Sequence, residues 1–287
     1  MPHIRCSKKA RGLKVLQRSI DDLLGTSAGI EWAMCIRDAS GRELARSNAD
    51  RAMDTASIGK LLLLIEVARQ CDAGQLSGAA LVERDPELLV ADSGLWQHLH
   101  VDKLSIDDLC VLIASVSDNL ATNAVLKEVG LPAVRALAKS LGLVHTGLLD
   151  YVRDHRGPAD PRALSTGSAS ELSQLMSQLF RHALVSPAVS QQVNAWPTTG
   201  VDVSMVASAF GLDPLAHTPP HRNMMFHNKT GADPGVRADV GTVGRGTHAI
   251  SYAVIANWDP SGFDLTDAVL ERMRAVGTIL KATIESG

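Results

Sequence analysis

Ser57-Ile58-Gly59-Lys60-Leu61-Leu62-Leu63-Leu64-Ile65 sets a hydroxyl and an amine three residues apart at the head of an apolar run. On a helix, residues three apart share a face, so the spacing predicts Lys60 beside the Ser57 hydroxyl. A serine hydroxyl is a poor nucleophile at neutral pH unless a base is held close to it. At the start of a helix both groups would also feel the positive end of the helix dipole. That field, with a second lysine nearby, would lower the Lys60 pKa and make a neutral amine accessible. The four-residue pattern arises by chance about once in a chain of this composition, so its meaning rests on the rest of the sequence.

Upstream, Leu13 to Leu24 carries a helical apolar stripe, and Ile30, Trp32, Met34 and Ile36 alternate as a strand with one buried face would. Asp38-Ala39-Ser40-Gly41 is a turn and Glu43 to Arg46 a return strand. Downstream, helical patterns run near Ser57–Asp72, Ser105–Val116, Asn119–Val129 and Pro132–Leu141. Leu148 to Gly167, with Gly157, Pro158 and Pro161, reads as a long surface loop, of a length that is usually functional or mobile. Strand patterns follow at Asn223–Thr230, Val236–Val243 and His248–Ile255, and a helix with Val269, Met273, Val276 and Leu280 on one face closes the chain. The order predicts a single α+β domain over residues 1–287. Its antiparallel sheet is built from both ends (1–55 and 200–287) and flanked by terminal helices, and an all-helical part (56–199) is inserted between them. Sites often lie at such a seam.

Composition excludes several function classes. A net charge of -3, from 28 basic and 31 acidic residues, argues against nucleic acid or an anionic membrane as partner, and 3% aromatic residues against base-stacking surfaces. No apolar run, Leu61 to Ile65 included, comes near the roughly 18 residues of a membrane helix. The basic stretch Met1–Arg11 is not followed by an apolar signal core, so a cytoplasmic chain acting on a small molecule is expected. Cys6, Cys35, Cys71 and Cys110 show no C-x-x-C spacing and read as reduced, mostly buried thiols. No cofactor is expected: Gly241, Gly244 and Gly246 lack dinucleotide-binding spacing. His98 and His100 form an H-x-H pair on a predicted strand but have no third ligand, so no metal site is expected either.

Two further motifs accompany the first. Ser117-Asp118-Asn119 falls between two helical patterns, where by itself it would be an N-cap. Lys229-Thr230-Gly231 ends a strand pattern, where by itself it would be a glycine turn. In this order and spacing the three together resemble the serine β-lactamase and penicillin-binding protein superfamily, and among them class A β-lactamases most. The resemblance extends through Leu104-Ser105-Ile106-Asp107-Asp108-Leu109, Leu120-Ala121-Thr122-Asn123, Val129-Gly130 and Leu141-Gly142-Leu143 to Ala232 and Gly235-Val236-Arg237-Ala238-Asp239-Val240-Gly241. Gly94-Leu95-Trp96-Gln97-His98-Leu99 and the Gly235–Gly241 run are similar to cytoplasmic β-lactamase-related serine hydrolases.

The resemblance implies an acyl-enzyme mechanism on an amide, lactam or ester. Ser57 would be the nucleophile and Lys60 its base or proton relay. Ser117 would pass the proton to the leaving group, with Lys229 setting the electrostatics of that relay. Asn119 would hydrogen-bond the substrate amide, and Thr230, beside Gly231, would hold a substrate carboxylate together with Arg237 of the following strand. The N–H groups of Ser57 and Ala232 would form the oxyanion hole. For Arg237 an exposed strand position paired with Asp239 stands as the alternative.

The sequence also departs from class A. There, a loop glutamate activates the deacylating water and contacts the asparagine corresponding to Asn123, roughly thirty residues before it. Here no glutamate lies between Glu128 and Glu171. Asp154 or His155, and less well Asp150, are the candidates to replace it; alternatively these charges only pin the loop, for instance through an Arg153–Asp160 pair. Acylation is therefore expected to survive and β-lactam turnover to be slow or absent, which leaves a penicillin-binding or sensing protein as the second reading. Cys110 stands where some class A enzymes place one half of a disulfide, but Leu64 stands at the other half, so no bridge is expected.

Overall fold

Strand β1 (Ile30–Asp38) sends Ala33 and Cys35 to one side and Trp32, Met34 and Ile36 to the other, and every one of them is buried. A strand apolar on both faces needs cover on both, and that requirement sets the architecture. The computed structural model describes residues 2–25, 28–215, 224–245 and 248–285, with no side-chain description for 2–11, 198 and 199.

β1 pairs antiparallel with β2 (Glu43–Ser47) on one edge and with β10 (His248–Trp258) on the other; β9 (Val236–Arg245) and β8 (Met225–Asp233) complete a five-stranded sheet of order β2-β1-β10-β9-β8. The sheet is thus made from both ends of the chain. The sequence pattern started β8 at Asn223, which lies outside the described residues.

One face is covered by the terminal helices α1 (Pro2–Leu24) and α8 (Thr266–Glu285). Leu16, Ile20 and Leu24 join Val269, Met273, Val276 and Leu280 over Trp32, Met34, Tyr252 and Val254. The other face meets the helical block: α2 (Lys60–Asp72), α3 (Ile106–Val116), α4 (Asn119–Val129), α5 (Leu131–Ser140), α6 (Ala169–Phe180) and α7 (Pro187–Ala195). Every residue of α2 from Lys60 to Ala68 is buried, so this helix is the axis of the block. Ser105, Asp118, Ser168 and Ser186 cap the helices that follow them by accepting a backbone N–H three residues on.

The structure corrects two local readings. Ser57 is not in an α-helix but in a 3₁₀ turn, Ala56–Gly59, and α2 begins at Lys60. His98 ends another 3₁₀ turn, Trp96–His98, and not a strand.

Short pairings tie the loops down. β4 (Leu81–Glu83) pairs with β5 (Lys103–Ser105), and β7 (Ser165–Gly167) lies between β3 (Met53–Asp54) and β6 (Gly147–Leu148). The stretch from Leu149 to Leu164 has neither helix nor strand, and a 2.8 Å bond from Leu149 N–H to Leu164 O closes its neck. Inside it, the buried Asp150 carboxylate accepts from Arg153 at 2.7 Å, Arg156 at 2.6 Å and Tyr151 N–H, and Arg153 also reaches Asp160 at 3.6 Å. Cys35 and Cys110 are buried, Cys71 is half-buried, and all three are free.

Gly277 shows how closely α8 sits. A Cβ there would lie 2.2 Å from Val206 O, on the 3₁₀ turn Val206–Phe210. Gly277→Ala is expected to lower stability by about 1–3 kcal/mol through overpacking, read as a lower midpoint in thermal or urea unfolding.

Candidate active site

The site forms where the edge strand β8 crosses the turn before α2. Ala56 has φ 48°, a left-handed conformation unfavourable for a residue with a Cβ. It is buried, as are Ile58 and Gly59, while Ser57 between them is half-buried and lines a surface pocket. Gly231 makes the crossing possible: a Cβ at this position would stand 2.2 Å from Thr55 O and 3.1 Å from Ser57 N. Any side chain would push the strand, with Lys229, Thr230 and Ala232, off the turn that carries Ser57.

Period-two alternation then aims Lys229 at the helical block, since its partner Val240 packs in that core. Lys60 comes from the first position of α2. The two side chains meet at one hydroxyl: Lys229 Nζ lies 3.1 Å, and Lys60 Nζ 3.2 Å, from Ser117 Oγ. Lys60 also donates to Ser117 O at 2.6 Å and to Asn119 Oδ1 at 2.7 Å, and Lys229 to Thr230 O at 2.8 Å. These hydrogen-bond partners are all neutral oxygens. Lys60 is fully buried and Lys229 only 5% exposed. Burial, and then the Lys229 charge, push the Lys60 ammonium well below its usual range, against an opposing pull from Asp118. Burial lowers Lys229 to about 8, with Asp202 and Asp239 opposing. The arrangement can therefore supply a neutral amine beside a charged one at near-neutral pH.

Ser117 reaches this point because it ends α3 in a left-handed conformation, φ 56°. Asp118 fixes the bend: fully buried, it accepts from Leu95, Trp96 and Ala121 N–H at 2.7–2.9 Å. The N-cap reading of this motif therefore holds for Asp118, which caps α4. Asn119, with Oδ1 on Lys60, spends one amide hydrogen on Ala91 O at 2.8 Å and keeps the other.

Asp202, for which the sequence held no signal, lines the same pocket as Thr230, and its Oδ1 accepts from Ser204 Oγ at 2.6 Å. Burial raises its carboxyl, but bonds from Ser204 and Thr230 and the Lys229 charge outweigh that and hold it low. Behind it, Asn228, Tyr252 and Val206 N–H all donate to Asp239, which burial nevertheless raises to about 7. Arg237 does not line the pocket. Its guanidinium lies 5.8 Å from the Trp258 ring centroid and donates to Asp233 O and Val236 O, neither pairing with Asp239 nor facing Thr230 across the site.

The loop candidates are held by other partners. Asp154 is exposed and accepts from Ala91 N–H at 2.9 Å, His155 is exposed, and Asp150 is held by its two arginines. None of the three lines the pocket. Asn123 instead grips Val152 from both sides, Nδ2 to Val152 O at 3.0 Å and Val152 N–H to Oδ1 at 2.9 Å. The backbone that this asparagine holds thus belongs to an apolar residue. The twenty-nine-residue spacing from Asn123 was available in the sequence, but a valine gave no chemical reason to stop there.

Comparisons with known proteins bear on the family and the fold. The family model described as the beta-lactamase enzyme family matches residues 15–278. The chain is 31% identical over 120 residues to the beta-lactamase regulatory protein BlaB of Streptomyces cacaoi, spanning 41% of this chain and 38% of that protein. It is 28% identical over 193 residues to a beta-lactamase of Streptomyces albus G, spanning 62% of this chain and 61% of that one. In both cases less than two thirds of the relative is covered. The crystal structure of a beta-lactamase from Sphaerobacter thermophilus shares the fold, with a TM-score of 0.79 over 94% of this chain and 96% of that one at 24% identity. With a family model covering nearly the whole length, and the three motifs meeting at one hydroxyl, the chain belongs to the beta-lactamase enzyme family.

Proposed function

We propose that the protein is an active-site-serine hydrolase that attacks a small amide, lactam or ester through an acyl-enzyme on Ser57. The observation that carries this reading is the contact of Lys60 and Lys229 with the one Ser117 hydroxyl, beside the pocket that Ser57 lines. Neutral Lys60 takes the Ser57 proton as Oγ attacks the carbonyl carbon, and the N–H groups of Ser57 and Ala232 receive the developing oxyanion. The proton then passes from Lys60 through Ser117 Oγ to the departing nitrogen or oxygen, while the Lys229 ammonium stabilises the charge in transit. Asn119 offers its remaining amide hydrogen to the substrate carbonyl, and Thr230 stands at the substrate wall. Arg237, turned to Trp258, takes no part in holding a carboxylate. In a cytoplasmic setting the substrate is a metabolite and not cell-wall peptidoglycan.

Release of the acyl group is the weak half of the cycle. Val152 occupies the place that Asn123 holds, and Asp154, the first candidate for water activation, has its carboxylate on Ala91 N–H. A β-lactam acyl group therefore persists. The same observation favours a second reading, a penicillin-binding or sensing protein that acylates without efficient turnover; one relative is named as a regulatory protein.

Incubation with a fluorescent penicillin, read by intact mass, should give one long-lived adduct that disappears in Ser57→Ala and Lys60→Ala. No adduct together with no turnover of p-nitrophenyl esters would overturn the enzyme reading. A lifetime unchanged in Asp154→Asn and His155→Ala would favour the sensing reading. Val152→Glu, which sets a carboxylate on the backbone held by Asn123, should shorten the lifetime by about tenfold or more, the scale of a well-placed general base. The acylation rate should fall as pH rises through about 8, where Lys229 loses its proton. In Lys229→Arg that descending limb should move beyond the measurable range, because a guanidinium stays charged.

A further inference from the structure

Ser165 is fully buried on β7, directly after the 149–164 loop, and among the described residues its hydroxyl hydrogen-bonds only with the turn that carries Ser57 and the residue before it. Its Oγ donates to Ala56 O at 2.6 Å and accepts from Gly59 N–H at 3.2 Å. With that proton committed to Ala56, the 2.7 Å contact to Thr55 Oγ1 is a donation from Thr55. One hydroxyl thus makes the single donation and two acceptances that it can make. The backbone joins in, since Thr55 N–H donates to Ser165 O at 3.2 Å. Gly59 is shaped for the contact: a Cβ there would stand 2.3 Å from Ser165 Cβ.

The bond to Ala56 O has a consequence one atom further on. Ala56 and Ser57 share a planar trans peptide, in which C=O and N–H point in opposite directions. Holding the carbonyl toward buried Ser165 therefore aims the Ser57 N–H away from it, toward the Gly231–Ala232 backbone, where Ser57 N lies 3.1 Å from the position of a Gly231 Cβ. That peptide sits in a turn whose Ala56 φ is 48°, a conformation the chain leaves when it is free to do so.

We propose that Ser165 is a positioning residue that fixes the Ala56–Ser57 peptide and so builds one of the two donors of the oxyanion hole. The inference rests on Ser57 being the acylated residue. It also makes the end of the 149–164 loop part of the acylation machinery and not of deacylation alone.

The test compares wild type with Ser165→Ala, Ser165→Cys and Thr55→Val in three measurements: crystal structure, acylation by a fluorescent penicillin, and binding of phenylboronic acid, whose tetrahedral adduct uses the same hole. In Ser165→Ala the Ala56–Ser57 peptide should rotate. The acylation rate constant should fall by about tenfold or more, a fraction of what loss of a whole oxyanion donor costs. Boronate affinity should fall in step, while non-covalent penicillin affinity and the pH midpoint set by Lys229 stay unchanged. Ser165→Cys, similar in size with a weaker donor, should fall between, and covers the case in which the alanine variant does not fold. Thr55→Val keeps the Ala56 bond and should lose less than either. An unrotated peptide in Ser165→Ala overturns the proposal whether or not any penicillin reacts, as does a Thr55→Val loss as large as that of Ser165→Ala. If wild type forms no adduct while the alanine variant's peptide rotates, the acyl-enzyme reading fails and the positioning role stands.

Discussion

Two ammonium-bearing side chains are buried against a single hydroxyl, and the rest of the site follows from that constraint. A buried amine without a carboxylate in contact gives up its proton more easily, and a second amine close by strengthens the effect. Among the described residues Lys60 hydrogen-bonds only with Ser117 and Asn119, and it is fully buried, as every residue through Ala68 on α2 is. Lys229 is kept more basic than Lys60 by Asp202 and Asp239 behind it. Environment, not residue type, sets the two lysines apart in basicity.

Close backbone approach is the second constraint. Gly231 lets β8 lie on the turn that carries Ser57, and Gly59 lets Ser165 reach the same turn from the other side. The turn holds a strained Ala56 between these two contacts. Strain of this kind persists only where the surroundings over-determine it, as both glycines and the Ser165 hydroxyl do here. Asp118 works the same way one step further out, spending a buried carboxylate on three backbone N–H groups so that Ser117 and Asn119 face the lysines.

The loop between β6 and β7 keeps its anchorage and lacks an obvious base. Asn123 clamps Val152, Asp150 binds two arginines, and Asp154 bridges to Ala91, so its polar groups hold backbone in place. The polar groups of this loop are thus spent on structure, and none of Asp150, Asp154 and His155 lines the pocket beside Ser57.

Alternation, helical spacing and caps are local signals that need no partner, so the sheet built from both chain ends, the helical block and the three motifs are legible in the chain. Val269, Met273, Val276 and Leu280 share the predicted face of α8, and Asn119–Val129 is a helix with the bounds read from its pattern. What those residues face follows from packing between distant segments. Ser57 sits in a 3₁₀ turn because β8 and Ser165 grip it, and Arg237 leaves the pocket because Trp258 and two carbonyls hold it. Val152, Asp202 and Ser165 matter through neighbours 29, 28 and 109 positions away in the chain. Contacts at such separations leave no periodic trace in a sequence, because they are made by the folding of one segment onto another and not by the spacing within either.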